Sequence, residues 1–243
     1  MDFTIRTISK SEQVCQAILL QILCGQVLPG QRLIEAKLAA ELNVSQATVN
    51  AALQDLHNQG LVTKRMNRST KVNRYTRIEI DNLFRVRLAL EPVAAGLAAE
   101  KFCEEAQSKL QEQVDEMRRA ARKRDLAKFC LADYLFHQEV YKQSGNSFLV
   151  KACQAISSAP FAYILCDHLD WLPADYLMVA EDHQAIIQAM EDGPETAANV
   201  TRERIAEWLR YSLRALERDP KAPAATEFKE QPSRAETGGI LRQ

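Results

Sequence analysis

Apolar residues recur three and four apart along most of this chain, and period-two alternation is nearly absent, which predicts a mostly α-helical protein. Val14, Ile18 and Ile22 line one face of a first helix over residues 11–24, and Leu19 and Leu23 widen the stripe. Gly25, Pro29 and Gly30 end it. A short helix over 35–42 shows Leu38 and Leu42 on one face, and Asn43 and Val44 make a tight turn. Ser45 then caps a third helix, 46–58, which buries Val49, Ala52, Leu53 and Leu56 before Gly60 stops it. Residues 61–65 and 70–72 are short β-prone pieces around a polar tip at 66–69, the pattern of a small hairpin. Beyond Ile78 the pattern predicts long helices over 78–102, 105–124, 126–143, 147–166, 174–191 and 195–218. After Asp219 the periodicity disappears, and residues 219–243 are expected to be a disordered tail.

Two short helices joined by a tight turn and followed by a hairpin form a winged helix-turn-helix layout. The expected architecture is therefore three helices plus a β-hairpin wing over 1–77, then an all-α bundle over 78–218. Charge divides at the same place. Residues 1–77 carry ten Lys and Arg against five Asp and Glu, a net +5, which leaves −6 for the rest of a chain whose net charge is −1. A basic front on an acidic back suits a nucleic-acid-binding module joined to something else. Six cysteines show no C-x-x-C pairing, and several fall on apolar helical faces as small hydrophobes. The N-terminus shows no apolar core of signal-peptide length, and no run approaches the roughly 20 apolar residues of a membrane span. A reducing cytoplasm with free thiols and no membrane partner is the expectation.

In a helix-turn-helix the second helix enters the major groove, and its first residues reach base edges. Here those are Ser45, Gln46, Ala47, Thr48 and Asn50. Gln and Asn can bond adenine through two hydrogen bonds, and Ser and Thr can meet bases or phosphates. Lys64, Arg65, Arg68 and Lys71 of the hairpin, with Arg32 ahead of the second helix, are phosphate candidates. The stretch GQVLPGQRLIEAKLAAELNVSQATVNAALQDLHNQGLV resembles the DNA-binding domain of the GntR family of regulators, over about residues 10–75. It departs from that family's pattern at Gln46, where Arg is usual. It departs again at Thr48-Val49-Asn50, where Pro-Val-Arg is usual, and at the wing tip, where Asn67 and Ser69 replace a Gly. Two positive charges are thus missing from the DNA-facing helix, which implies a different operator or weaker, phosphate-driven affinity.

Asp133 and His137 stand four apart, on one helix face, and His183 lies on a later helix. Spacing alone leaves three alternatives open: a cation site, a satisfied core histidine beside a surface carboxylate, or the two-His, one-carboxylate centre of a non-haem metal enzyme. A fourth reading, an architectural protein with a degenerate helix-turn-helix, also fits the missing arginines. Residues 78–217 resemble the FCD type of ligand-binding domain of the FadR subfamily, on LFRVRLALEPVAAGLAAE, on the Asp133 to Asn146 stretch and on EDHQAIIQAMEDG. The resemblance implies a divalent metal of the zinc, nickel or manganese class, one per subunit, held by Asp133, His137, His183 and a fourth ligand. That fourth position is occupied here by Ile205. Water, the effector or His168 could complete the shell, or the metal is lost and a polar pocket remains. The resemblance also implies a homodimer, a double-stranded DNA operator and a carboxylate effector. Arg87 matches the family's arginine in the first sensing helix, and its guanidinium fork suits a carboxylate. Arg202, near Ile205, is a second effector candidate, and Arg85 is expected to point elsewhere.

Overall fold

The computed structural model describes residues 9–23, 26–64, 70–156 and 173–218. Its elements are α1 (Lys10–Leu23), β1 (Arg32–Leu33), α2 (Glu35–Glu41), α3 (Gln46–Asn58), β2 (Val62–Thr63), β3 (Thr70–Val72), α4 (Arg77–Ala99), α5 (Glu104–Lys123), α6 (Leu126–Gln143), α7 (Ser147–Ile156), α8 (Pro173–Asp192) and α9 (Pro194–Arg218). Each expected helix is present. The second half of the helix expected over 147–166, the wing tip and the tail after residue 218 lie outside the described residues.

The sequence shows why these boundaries fall where they do. Ser45 has extended backbone, and its Oγ accepts the Thr48 amide at 3.1 Å, so α3 starts at Gln46. Asn43 turns the chain ahead of it with φ of 51°. Thr76 and Glu79 form a reciprocal capping box that starts α4. Asp125 accepts the Lys128 amide and starts α6. The hairpin supplies two strands of a three-stranded antiparallel sheet, in the order β1-β3-β2, that pairs Arg32 with Lys71 and Val62 with Val72.

Helices α1 to α3 bury Ile18, Ile22, Val49, Leu53 and Leu56 against Leu61, Val62 and Val72 of the sheet. In the bundle, α4 is the central helix and contacts α6, α7, α8 and α9. Gly96 lets α9 come close: a Cβ there would lie 3.2 Å from the Pro194 carbonyl oxygen. On the outer side Arg118 of α5 donates to both oxygens of Glu181 on α8, at 2.9 and 2.8 Å. The two units meet where α1 lies on α6. Between them, Asn73 and Tyr75 of the connecting segment both donate to the Gly60 carbonyl oxygen.

Candidate functional site

The bundle buries a polar centre built by three helices. Helix α4 supplies Arg87 and Glu91, α6 supplies Asp133, His137 and Tyr141, and α8 supplies His183; all are buried. The four-residue spacing in α4 and α6 stacks each set along one face. Arg87 grips Glu91 through two bonds, Nε to Oε1 at 2.5 Å and Nη2 to Oε2 at 3.1 Å. His137 turns its Nδ1 to Glu91 Oε2 at 3.4 Å. His183 turns its Nδ1 to the Val179 carbonyl oxygen at 2.7 Å. With both Nδ1 atoms so engaged, the two Nε2 atoms face one another at 3.3 Å. The Oδ1 atom of Asp133 lies 3.2 Å from His183 Nε2, yet neither carboxylate oxygen of Asp133 has a hydrogen bond of good geometry.

One donor atom each from Asp133, His137 and His183 falls within a 4.8 Å cluster. An acceptor carboxylate and two ring nitrogens aimed at one point form a cage for positive charge. The ionisation behaviour agrees. Burial alone would raise the Asp133 pKa, but His183, His137 and Arg87 outweigh it and hold it below the usual range. Burial alone would lower the His183 pKa, but Asp133 outweighs that and raises it, so a proton competes with a metal ion for this ring. Oxygen and imidazole ligands suit a divalent transition metal, and unpartnered Asp133 oxygens are what such an ion would satisfy, so the residues fit a metal.

Among the expected effector residues, the structure separates Arg87 from Arg202. The fork of Arg87 is filled by Glu91, which sequence reasoning missed although it stands four residues on in the same helix. Arg202 is exposed and donates to Asn199 at 2.8 Å, which corrects its placement in the pocket. The buried face of α9 runs through Ala197, Thr201, Ile205 and Trp208. Thr201, also missed, buries a hydroxyl without a partner among the described residues, one turn before Ile205. Arg85 is exposed on Asp81, as expected. His168 lies outside the described residues.

On the helix-turn-helix, Gln46 and Asn50 are exposed along α3. Thr48 is half-buried, with its hydroxyl 2.8 Å from that of Ser45. Asn50 donates to Glu35 at 2.9 Å, and Lys64 stands 3.9 Å from the same carboxylate. Glu35 was not foreseen at this face, because only the fold brings α2 beside α3. Arg32 and Lys71 are exposed cross-strand neighbours. Arg65 and Arg68 lie outside the described residues.

The family model described as FCD domain matches residues 82–207, and the model for bacterial regulatory proteins of the gntR family matches residues 10–72. The chain is 28% identical over 213 residues to the probable D-xylose utilization operon transcriptional repressor of Paenarthrobacter nicotinovorans, across 86% of this chain and 92% of that one. It is 24% identical over 173 residues to the HTH-type transcriptional regulator McbR of Escherichia coli strain K12, across 70% of this chain and 77% of the other. The solved structure of E. coli McbR/YncC superposes with a TM-score of 0.71 at 22% identity, covering 86% of this chain and 99% of that chain, a likeness of fold.

Proposed function

The chain belongs to the gntR family of bacterial regulatory proteins and carries an FCD domain, and from that premise we propose that it is a cytoplasmic, homodimeric transcriptional repressor whose grip on a double-stranded DNA operator is set by a small carboxylate effector. Residues 1–77 take the DNA, and residues 78–218 take the effector and the second subunit. The relatives are regulators and repressors, which favours this reading over a metal enzyme. Gln46 and Asn50 meet base edges, with Ser45 and Thr48 beside them. Arg32 and Lys71, with Lys64, Arg65 and Arg68, meet phosphates. The side-by-side pairing of Arg32 and Lys71 supports this: like charges on neighbouring strands repel unless an anion lies against them.

Asp133, His137 and His183 would hold one divalent metal per subunit. The carrying observation is that both rings are pinned through Nδ1, so both Nε2 atoms converge on one point with the Asp133 carboxylate, whose oxygens have no hydrogen bond of good geometry among the described residues. When bound, such an ion supplies a Lewis-acidic charge able to take a carboxylate oxygen. The protein's own part is to orient the rings. Ile205, standing where the resemblance sets a fourth ligand, brings no donor and leaves that position to the effector or to water. Effector binding then favours one spacing of the two helix-turn-helix units over another, which changes operator affinity.

Native mass spectrometry with elemental analysis tests the reading. A dimer with one divalent ion per subunit is expected, and the ion should be lost in His183→Ala. At an ion concentration of a hundred times Kd, loading should add about 2.7 kcal/mol of stability, read as a rise in unfolding temperature. A folded dimer that takes up no added Zn2+, Ni2+ or Mn2+ would remove the metal; a monomer that shifts no DNA would remove the regulator.

A further inference from the structure

A second polar space opens one residue round helix α6 from the buried cluster. Tyr134 and Gln138 follow Asp133 and His137 in the chain and turn instead toward the helix-turn-helix unit, where they line a cavity of about 510 Å3. That volume lies within the range of small-molecule sites. Its walls are α1, the end of α3, α6 and α7, so both units contribute.

The chemistry of the wall is dominated by carboxamides: Gln16, Asn58, Gln59, Gln138 and Gln154. Two of them are incompletely bonded. Gln59 donates weakly to the Cys15 sulfur at 3.9 Å, and its Oε1 is buried without a partner. The Nε2 of Gln138, from the other unit, is likewise buried without a partner among the described residues. Exchanging O and N in either amide still leaves one unpartnered polar atom on each side. A buried polar group left unsatisfied is unfavourable, so the pair marks a deficit that a ligand can fill. The charged members of the lining are Glu12 and Asp55 against Lys151. Burial and the nearby Asp55 push the Cys15 thiol up to about 11, so it adds no charge near neutral pH.

We propose that this cavity binds a small, neutral, hydroxyl-rich molecule of monosaccharide size, whose hydroxyl groups bridge Gln59 of the helix-turn-helix unit and Gln138 of the bundle. A hydroxyl both donates and accepts, as a carboxamide does, and so matches an acceptor on one wall and a donor on the other. An anion would meet Glu12 and Asp55, and Lys151 offsets one of these two carboxylates. Gln59 closes the C-terminal end of α3, the helix whose N-terminal end carries Gln46 and Asn50. A bridge from Gln59 to Gln138 therefore fixes the recognition helix to the helix that carries Asp133 and His137. Binding stands apart from the metal; only its consequence for DNA rests on the function proposed above.

Calorimetry on the full chain, with ribitol, ribonate and the corresponding aminopolyol as probes, tests it. Ribitol is expected to bind best. Gln59→Leu and Gln138→Leu should each weaken it about tenfold, the loss of one hydrogen bond, and His183→Ala should leave it unchanged. Gln138→Met, of similar length but without a donor or acceptor for a hydroxyl, serves if the leucine variant fails to fold and should weaken ribitol similarly. Preference for either charged probe, indifference to the Gln59 and Gln138 changes, loss of binding in His183→Ala, or no ribitol binding would each overturn the proposal.

Discussion

The helix-turn-helix unit and the helical bundle treat the polar side chains of their sites in opposite ways. In the first, they lie near the surface and are satisfied by one another: Ser45 with Thr48, Asn50 with Glu35, Lys64 near Glu35. These are exposed bonds, worth little net in water, and they can be exchanged for bonds to DNA at small cost. In the second, Asp133 is 0% exposed, His137 7% and His183 4%, and the bonding stops short of completion at the Asp133 oxygens. A deficit so deeply buried calls for an ion, a ligand group or an ordered water, so the shortfall itself locates the site. A surface site is thus recognised by what it presents, and a buried site by what it lacks.

The largest effect that sharpens this contrast is at Glu91. Glu91→Ala leaves the Arg87 guanidinium buried without its carboxylate partner, and should cost about 3–5 kcal/mol in chemical denaturation. Replacing both partners, with Arg87→Met and Glu91→Leu together, should recover most of that loss, because neither side chain then needs water. The double variant should nonetheless bind the metal about 10–100-fold more weakly, since His137 has lost the carboxylate that orients its ring. A stable double variant with unchanged metal affinity would show that Glu91 serves the fold alone. The same pairing alters what is expected of Arg87→Ala: a lost effector response in that variant would report a broken buried pair before it reported a lost carboxylate contact.

A smaller effect is expected on the exposed side. Ser45→Ala removes the cap of α3 and the hydroxyl that holds Thr48, and should cost about 1 kcal/mol, read as a lower denaturation midpoint with an unchanged slope. Metal uptake by the bundle should not change. An unmoved midpoint would mean that another group, or water, caps this helix as well as Ser45 does.

How far the sequence could be read follows the same divide between local and assembled features. Helices α3 and α6 fall on the residues that the sequence predicts, because a capping Ser45 is a local signal for the first and apolar spacing bounds both. Strand β1 was missed, since two residues are too few to carry alternation and it exists only because β3 lies beside it. Asp133 and His137 were legible from their four-residue spacing, and His183 from the family resemblance. Glu91 was not, because its role depends on α4 lying against α6. Arg202 was misplaced by one position on α9: Thr201 shares the face of Ile205, whereas Arg202 turns outward to Asn199. Register on a helix is thus read safely only where the apolar face is fixed on both sides.

The smallest effect lies at the seam between the two regions. Tyr75 donates to the Gly60 carbonyl oxygen from the segment that joins β3 to α4. Burial, with a smaller contribution from Glu79, pushes its phenol up to about 12, although the bond from Asn73 works against it. The unfolded chain ionises this group near pH 10. The folded state therefore holds the proton more tightly, so the contribution of Tyr75 to stability is complete below about pH 10 and falls away as the pH rises toward 12. Tyr75→Phe should lose the hydrogen bond at neutral pH, and its denaturation midpoint should then fall less steeply than that of the unaltered protein between pH 10 and 12. Cys15, raised in the same direction to about 11, keeps part of the alkaline slope in both proteins. If the two slopes are equal, the Tyr75 hydroxyl reaches water in solution, and the seam between the helix-turn-helix unit and the bundle is looser than the Gly60 contact implies.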